Sequence, residues 1–307
     1  MMGKNTLWLP GTDHASIATE AKVTKMLKDQ GIDKKEIGRD KFIKYAWDWT
    51  DKYGGMIINQ LKRLGSSCDW DREGFTMSDN YYKSVIHAFI KLYEDGMIYK
   101  GERMINWDPK GLTALSDEEV VHKEQKGKLW YFKYPISGEN DYLTVATTRP
   151  ETMLGDTGVA VNPKDKRYSK YIGKKIILPI VGKEIPIFSD SYVDKDFGTG
   201  CVKVTPAHDP NDFEMAQRNK LPIVNILNKN GTLNKNVPSE YQGLDRFVAR
   251  KKVVQTIEKL KLLDKIEDYT HKVGFSERTD VIVEPRLSKQ WFLKMEDLAK
   301  PALKVVK

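Results

Sequence analysis

The chain has 307 residues, 40% of them hydrophobic, and its formal net charge of +8 favours an acidic partner, above all nucleic acid. This length and composition predict a globular protein with two domains, or one domain that carries a large insertion. No apolar run reaches membrane-spanning length, the first residues show no signal-peptide pattern, and two cysteines without a CxxC pair argue against a zinc site or a disulfide scaffold, so we expect a cytoplasmic protein.

Helical patterns occupy the first third of the chain, from residue 15 to about residue 96. Residues 40–64 predict a long helix that Gly54 and Gly55 should bend or break. Another helix is predicted to begin at Ser78 and to end at Gly96, because serine is a favoured N-cap and glycine a favoured C-terminal residue. Its apolar stripe consists of Tyr82, Val85, Ile86, Phe89, Ile90 and Tyr93.

From about residue 125 to residue 232 the pattern changes to short strands. We interpret residues 123–128 as a linker into this block, and residues 244–263 after it predict a helix. Short strands with a few helices predict an α+β or barrel-like domain inserted into the chain. The predicted strands are residues 129–134, 142–147, 175–181, 201–205 and 223–227.

Residues 147–152 (TTRPET) form the first of two polar segments that follow predicted strands. Pro150 holds Arg149 in an extended conformation and cannot belong to an interior strand. We therefore expect Arg149 and Thr152, with Thr148 beside them, where the strand leaves its sheet.

Residues 198–212 (GTGCVKVTPAHDPND) form the second polar segment. Lys203 and Thr205 are two positions apart on a predicted strand, so their side chains share one face. Asp209 and Asp212 follow in a loop that opens a helix, and either could serve only as its N-cap. A lysine and two aspartates at the ends of a strand and a loop favour a functional site over capping alone.

Further motifs occur along the whole chain: residues 11–20 (GTDHASIATE), 69–73 (DWDRE), 75–77 (FTM), 106–109 (NWDP) and 284–292 (EPRLSKQWF). Together with the two polar segments they resemble the valyl-tRNA synthetases, a family of class I aminoacyl-tRNA synthetases. The leucyl enzymes are similar at TTRP and PAHD but typically lack the KVT pattern and the GTDHA run. The isoleucyl enzymes depart further, so the valyl family fits best.

The resemblance implies a chain of α/β and α+β character, in which a barrel-like mixed editing domain is inserted into parts of a Rossmann-type catalytic domain. Residues 1–124 would be a partial catalytic region with a helical connective segment, residues 125–270 the editing domain, and residues 271–307 the return into the catalytic domain. The HIGH-type and KMSKS-type signatures of the family do not occur in this sequence, so we do not expect aminoacylation, although the full-length family uses ATP and Mg²⁺. The cysteine pairs that bind zinc in some members are also missing, so no metal is expected.

The resemblance also implies why an editing site is needed. Valine and threonine are nearly isosteric, and the apolar pocket of the valyl enzyme itself rejects threonine by only about a hundredfold. A second site that hydrogen-bonds the hydroxyl could accept threonine and exclude valine. We therefore expect hydrolysis of threonyl-tRNA(Val), bound by its acceptor end, through a positioned water and without a covalent nucleophile or cofactor. Neither a membrane partner nor an oligomer is expected.

By resemblance, three residues are predicted to be catalytic. Asp209 would hold the α-ammonium group of the substrate, and Asp212 would accept the threonine hydroxyl. Lys203 would bind the terminal adenosine or polarise the ester carbonyl.

Five further residues are predicted to bind the substrate. Arg149, Thr148 and Thr152 would orient the 3′ end, and Thr205 and His208 would shape the pocket. His208 has two interpretations, since a histidine in this loop could be a general base or a structural hydrogen-bonding group.

Outside the editing block, Asp13 and Trp291 resemble the ammonium contact and the apolar wall of the synthetic pocket, with helix capping and core packing as alternatives. The predicted helix 244–263 has basic side chains that could contact tRNA phosphates, although a solvated surface is the commoner explanation. They are Arg246, Arg250, Lys251, Lys252, Lys259 and Lys261. Two alternatives to a threonine-editing hydrolase stay open: a catalytically silent tRNA-binding or structural fragment, and an editing site of leucyl-type specificity.

Overall fold

A computed structural model describes residues 3–14 and 16–306. The helices are α1 (Ser16–Asp29), α2 (Lys34–Arg63), α3 (Asp79–Glu94), α4 (Pro210–Asn219), α5 (Arg246–Lys259) and α6 (Met295–Val306). The strands are β1 (Gly11–Thr12), β2 (Gly74–Phe75), β3 (Ile98–Asp108), β4 (Thr113–Leu115), β5 (Val120–Pro135), β6 (Tyr142–Thr147), β7 (Gly158–Val161), β8 (Lys175–Ile177), β9 (Glu184–Ser189), β10 (Cys201–Val204), β11 (Leu263–Ser276) and β12 (Glu284–Leu293). Of the described helices, none is long and apolar enough to cross a bilayer.

The chain divides into two compact units. Unit 1 consists of Met1–Gly101 and Trp291–Lys307, and unit 2 is Glu102–Gln290. The boundaries between the units fall within the residue ranges of β3 and β12. Unit 2 contains the whole predicted editing block, residues 125–270, and extends beyond it at both ends. The division of the chain into catalytic and editing domains stays a prediction.

Unit 1 is mainly helical, as its sequence pattern predicts. The break predicted at Gly54 and Gly55 is wrong, because both residues continue α2, whereas Gly38 interrupts that helix with a φ of 74° and a ψ of 171°. A positive φ is open to glycine at little cost, so the interruption occurs where the backbone has no Cβ to hinder it. The helix predicted after Ser78 is confirmed as α3, with Gly96 at a φ of 70° just beyond its last turn.

The apolar stripe of α3 is exposed. Its six side chains keep between 39% and 61% of their surface accessible. Among the described residues of unit 1, the buried hydrophobic side chains are Val23, Leu27 and Ile58, on α1 and α2. Unit 1 therefore forms amphipathic helices with little buried core.

Unit 2 is a mixed α/β structure built on open sheets. One sheet has the order β10-β7-β9-β8, with β7 and β9 parallel and the other pairs antiparallel, and another has the order β11-β5-β6. Strand β4 pairs antiparallel with the last residues of β3. No sheet closes on itself within the described part of the chain, so the strands do not form the expected barrel-like arrangement.

The linker predicted at residues 123–128 is wrong. These residues lie inside β5, which pairs antiparallel with β11 from Val120 opposite Ser276 to Phe132 opposite Leu263. Most of the side chains in this part of the ribbon are exposed, so it lacks the buried apolar face by which a strand is recognised in a sequence. The antiparallel pairing with β11, more than a hundred positions away, makes it a strand.

The core of unit 2 lies between its sheets and α5. Strands β5, β6, β7 and β9 contribute buried apolar side chains, and Ala249, Val253 and Ile257 of α5 pack against them. The strand predicted at residues 223–227 is wrong: its apolar side chain Ile226 is buried, yet only Leu227 makes an isolated bridge. Burial rather than strand pairing explains that apolar run.

Candidate editing site

The two polar segments meet in a cleft of unit 2. Strand β6 ends at Thr147 and is followed by a 3₁₀ helix, Pro150–Gly155, while β10 ends at Val204 and is followed by α4. Strands β6 and β10 pack together, so both segments open into the same space of about 370 Å³. The cleft is lined by Leu129, Ala146, Thr147, Thr148, Arg149, Thr152, Phe197, Val202, Lys203, Thr205, His208, Asp209, Asp212, Tyr269 and His271. The structure thus brings together all the side chains of the predicted editing site, whose roles stay predictions.

Lys203 is buried at the base of the cleft, with 8% of its surface exposed. Its ammonium group donates to Thr205 Oγ1 at 2.5 Å, to Thr152 Oγ1 at 2.8 Å and to Asp156 Oδ1 at 3.2 Å. An ammonium group has three N–H donors, so each of them has a partner within the protein. A direct contact of Lys203 with the ester carbonyl would require one of these bonds to be exchanged.

Asp156, which no sequence motif singled out, is the counter-ion of Lys203. It accepts from Lys203 and Thr205 at Oδ1, the latter at 2.5 Å, and from the Tyr134 hydroxyl at Oδ2 at 2.7 Å. Burial raises the pKa of Asp156, while Lys203 and the two hydroxyl donors oppose that rise. A lone carboxylate in the run MLGDTGVAV was the available signal, since a charge in a buried segment needs a partner.

Asp212 is also buried, on the first turn of α4. Its Oδ2 accepts the backbone N–H of Thr205 at 2.8 Å, and Oδ1 has no partner within the described part of the chain. Burial and the nearby Asp209 raise the pKa of Asp212 to about 7, against the favourable effect of Lys203. Asp212 therefore changes charge close to neutral pH.

Asp209 is the N-cap of α4. Its Oδ1 accepts the backbone N–H groups of Asn211 at 2.8 Å and Asp212 at 3.1 Å. The capping interpretation of Asp209 is thus confirmed. Its other oxygen has no hydrogen bond to any described residue, so capping and a role in the cleft are compatible.

His208 serves as a structural hydrogen-bond acceptor. Its Nε2 accepts the backbone N–H of Ile226 at 3.0 Å, which places the proton of a neutral ring on Nδ1. Burial, followed by the charges of Arg149 and Lys203, lowers the pKa of His208 to about 3. A ring with its only lone pair in use and so low a pKa is a poor general base, so the structural interpretation is favoured.

Arg149 belongs to a buried network of ions. Its guanidinium donates to Glu284 at 2.5 Å and to the carbonyl of His208 at 3.0 Å, and it lies 3.4 Å from Glu151. Arg250 forms two hydrogen bonds with Glu151, at 2.7 and 2.8 Å, and Arg246 lies 2.5 Å from Glu284. Burial opposes the charge of Arg149, but the two glutamates raise its pKa overall.

Two of the basic side chains that were predicted to contact tRNA phosphates therefore form ion pairs inside unit 2. Arg246 is 4% exposed and Arg250 pairs with a fully buried glutamate, so the suggestion that they form a solvated or phosphate-binding face is wrong for both. The signal was their spacing along α5: Arg246 lies three positions before Ala249 and Arg250 three positions before Val253, which places the arginines on the helix face that meets the core.

Two side chains of β11 complete the lining, and a buried cysteine lies near it in the sequence. Tyr269 and His271 are neighbours on one face of β11, with ring centroids 5.6 Å apart and an interplanar angle of 22°. Cys201, close in sequence to Lys203, is buried, which raises its pKa to about 12. Chemically, the cleft offers carboxylate and hydroxyl oxygens to a ligand that carries hydrogen-bond donors.

Asp13 and Trp291 belong to unit 1. Asp13 accepts from Thr76 Oγ1 at 3.3 Å, and Trp291 is 53% exposed with its ring edge-on to Phe89 at 5.6 Å. Unit 1 has a cleft of its own, about 620 Å³, lined mainly by α1 and α2. Neither Asp13 nor Trp291 is among its described lining residues, and their role in a synthetic pocket stays a prediction.

A family model described as tRNA synthetases class I (I, L, M and V) matches residues 1–307, so the chain belongs to this family. Similar relatives are the valine–tRNA ligases of Bacteroides fragilis and Parabacteroides distasonis, each 56% identical over 306 residues, which is 100% of this chain and 35% of theirs. That of Christiangramia forsetii is 55% identical over the same lengths. The chain spans about a third of the length of the curated relatives it matches.

Proposed function

We propose that the cleft of unit 2 is an editing site that hydrolyses threonyl-tRNA(Val), and that this chain serves the charging of tRNA(Val) with valine within a longer synthetase. The water oxygen attacks the ester carbonyl carbon, the bond to the ribose oxygen breaks, and that oxygen takes up a proton. The products are threonine and a tRNA with a free 3′ end.

The observation that carries this proposal is the position of Asp212. One of its oxygens is fixed by the backbone N–H of Thr205, the other has no partner in the described chain, and Asp212 belongs to the lining of the cleft. A buried acceptor of this kind favours a ligand with a hydroxyl donor, because an apolar methyl group in its place would leave the carboxylate unpaired. Threonine supplies such a hydroxyl and valine does not.

The other roles follow the same chemistry. Asp209 receives the α-ammonium group at the carboxylate oxygen that does not cap α4. Arg149, held by Glu151 and Glu284, orients the 3′ end together with Thr148 and Thr152. No side chain of the cleft is assigned as nucleophile or general base, and the water is activated by position, with help from the ribose hydroxyl next to the ester. The hydrolysis itself requires no cofactor.

Deacylation of threonyl-tRNA(Val) by the 307-residue chain tests the proposal. We expect turnover above spontaneous hydrolysis, and its loss in the double variant Lys203→Ala, Asp212→Ala. The matched control is Lys175→Ala with Glu184→Ala, which removes an exposed ion pair at 2.9 Å and should leave the rate unchanged. No turnover above the double variant means a silent tRNA-binding or structural fragment, and faster hydrolysis of a norvalyl than of a threonyl ester means leucyl-type specificity.

A further inference from the structure

Asp156 determines which way the hydroxyl groups at the base of the cleft point. Thr205 Oγ1 lies 2.5 Å from both Lys203 Nζ and Asp156 Oδ1. An ammonium group can only donate and a carboxylate can only accept, so the Thr205 hydroxyl must donate to Asp156 and accept from Lys203. Its proton therefore points into the protein.

The hydroxyl of Thr152 is oriented in the same way. It donates to the carbonyl of Arg149 at 2.9 Å and accepts from Lys203 at 2.8 Å. Each of the two hydroxyls already donates its only proton within the protein. Toward a ligand it can therefore act only as an acceptor, through its remaining lone pair. With Asp209 and, above pH 7, the ionised Asp212, the polar wall of the cleft next to Lys203 presents acceptors alone.

The location of Asp156 is fixed by its surroundings. Tyr134, which is fully buried, donates to its second oxygen. Gly155 precedes it where a Cβ would lie 2.9 Å from a methyl group of Ile226 and 3.2 Å from the carbonyl of Val224. Only glycine allows the backbone to approach so closely, and this approach brings Asp156 against Thr205.

We propose that Asp156 is the positioning residue for substrate choice in this cleft: it holds Lys203 and Thr205 so that the wall of the cleft next to Lys203 offers only hydrogen-bond acceptors and thereby selects an aminoacyl group with a side-chain hydroxyl. This inference rests on the proposed editing function. Without Asp156, the Thr205 hydroxyl can turn and donate, and the wall loses its preference for a donor.

The test is the ratio of kcat/KM for threonyl-tRNA(Val) to that for valyl-tRNA(Val), measured at pH 8 with the 307-residue chain. In Asp156→Ala we expect the ratio to fall about 10- to 100-fold. A buried polar group that is left unpaired, or that rotates, changes binding affinity by about that factor. Asp156→Asn keeps the shape and one acceptor oxygen, so its ratio should lie between those of Ala and the parent. The matched control Asp165→Asn removes another buried carboxylate, paired with Arg167, and should leave the ratio unchanged.

A purely structural role would slow both substrates equally, so an unchanged ratio in Asp156→Ala overturns the inference. Should that variant not fold, the Asn variant is compared in the parent and in a Thr205→Val background. If Asp156→Asn no longer changes the ratio when Thr205 is valine, Asp156 acts through Thr205, as inferred. If Asp156→Asn changes the ratio as much in the Thr205→Val background as in the parent, the inference is contradicted. A parent chain that hydrolyses neither ester removes the proposed function and this inference with it, whereas an active parent with insensitive variants removes the inference alone.

Discussion

The two units use their apolar residues in different ways. In unit 2, the strands and α5 bury a continuous core, and charged groups such as Lys203 and Asp156 lie beside it in satisfied hydrogen bonds. In unit 1, the helices are as clearly amphipathic, yet the stripe of α3 is exposed and the described buried core is confined to α1 and α2. An amphipathic pattern thus fixes a helix and its apolar face, while burial depends on what packs against that face.

This difference has an energetic consequence. Burial of a large aliphatic side chain contributes about 1.5–3 kcal/mol relative to exposure, and unit 2 collects many such contributions. Unit 1 buries few such side chains, so its helices should unfold locally at a lower free energy than the strands of unit 2. Hydrogen exchange followed by mass spectrometry reads the two units separately, which allows the comparison to be tested by substitution.

The largest effect is expected from Lys203→Met. The change removes the cation and leaves the buried Asp156 unpaired, which should cost about 3–5 kcal/mol and reduce deacylation to background. Exchange of the unit 2 strands should speed up accordingly, with helices α1 to α3 unaffected. Equal loosening of both units would show that their stabilities are not separate.

Next in size is a pair of isoleucine truncations, one in the core and one on an exposed face. Ile187→Ala in β9 removes a side chain that is 1% exposed and should cost about 2–5 kcal/mol in the free energy of unfolding. Ile90→Ala in α3 removes one that is 48% exposed and should change it by at most about 0.5 kcal/mol. Denaturant titration of both variants measures the contrast, and similar losses would contradict the account of unit 1.

A gain of stability is expected from Asp212→Asn. The pKa of Asp212 is raised from 3.8 to about 7, so the folded protein disfavours the ionised carboxylate. The stability that Asp212 contributes is therefore complete below pH 3.8 and is lost as the pH rises through 7. Asparagine cannot ionise, and its amide oxygen can still accept from Thr205. The variant should therefore be more stable than the parent by on the order of 2 kcal/mol above pH 7, with the gap opening between pH 4 and 7 in thermal unfolding.

The smallest effect is expected from His208→Gln. Glutamine can accept the Ile226 N–H, so kcat/KM for deacylation should change by less than about tenfold, whereas loss of a general base costs about 10²–10⁴. We also expect the deacylation rate to rise as Asp212 ionises near pH 7, and this rise should persist in the variant. A larger loss, or a pH profile that moves, would restore His208 as a catalytic base.

Much of the site could be predicted from the sequence, because strand ends followed by polar loops place side chains at a sheet edge. Arg149, Lys203 and Asp212 meet in one cleft for that reason. Asp156 could not be singled out because its partners are distant in sequence: β6 lies between Tyr134 and Asp156, and β7, β8 and β9 lie between Asp156 and Lys203. The pattern of α5 points Arg246 toward the core, but its partner Glu284 could not be identified for the same reason.

The fold was predictable where a local pattern decides it, as in β6, α3 and α5. The fold was not predictable where contacts between residues distant in sequence decide the structure. The exposed side chains of residues 123–128 look like a linker until β11 pairs with them, and the apolar residues 223–227 look like a strand although their burial needs no partner strand. Helix α2 is interrupted at Gly38 rather than at Gly54 or Gly55, and the sequence alone does not distinguish these glycines.

The β5–β11 ribbon also determines when unit 2 can be completed. Val120 pairs with Ser276, so the first strand of the ribbon leaves the ribosome on the order of 150 residues before its partner exists. At a synthesis rate of about 5–20 residues per second, that interval is roughly 8–30 s. During it, β5 exposes an unpaired edge, and its charged side chains, Lys123, Lys126 and Lys128 among them, are the kind that discourage pairing with other nascent chains.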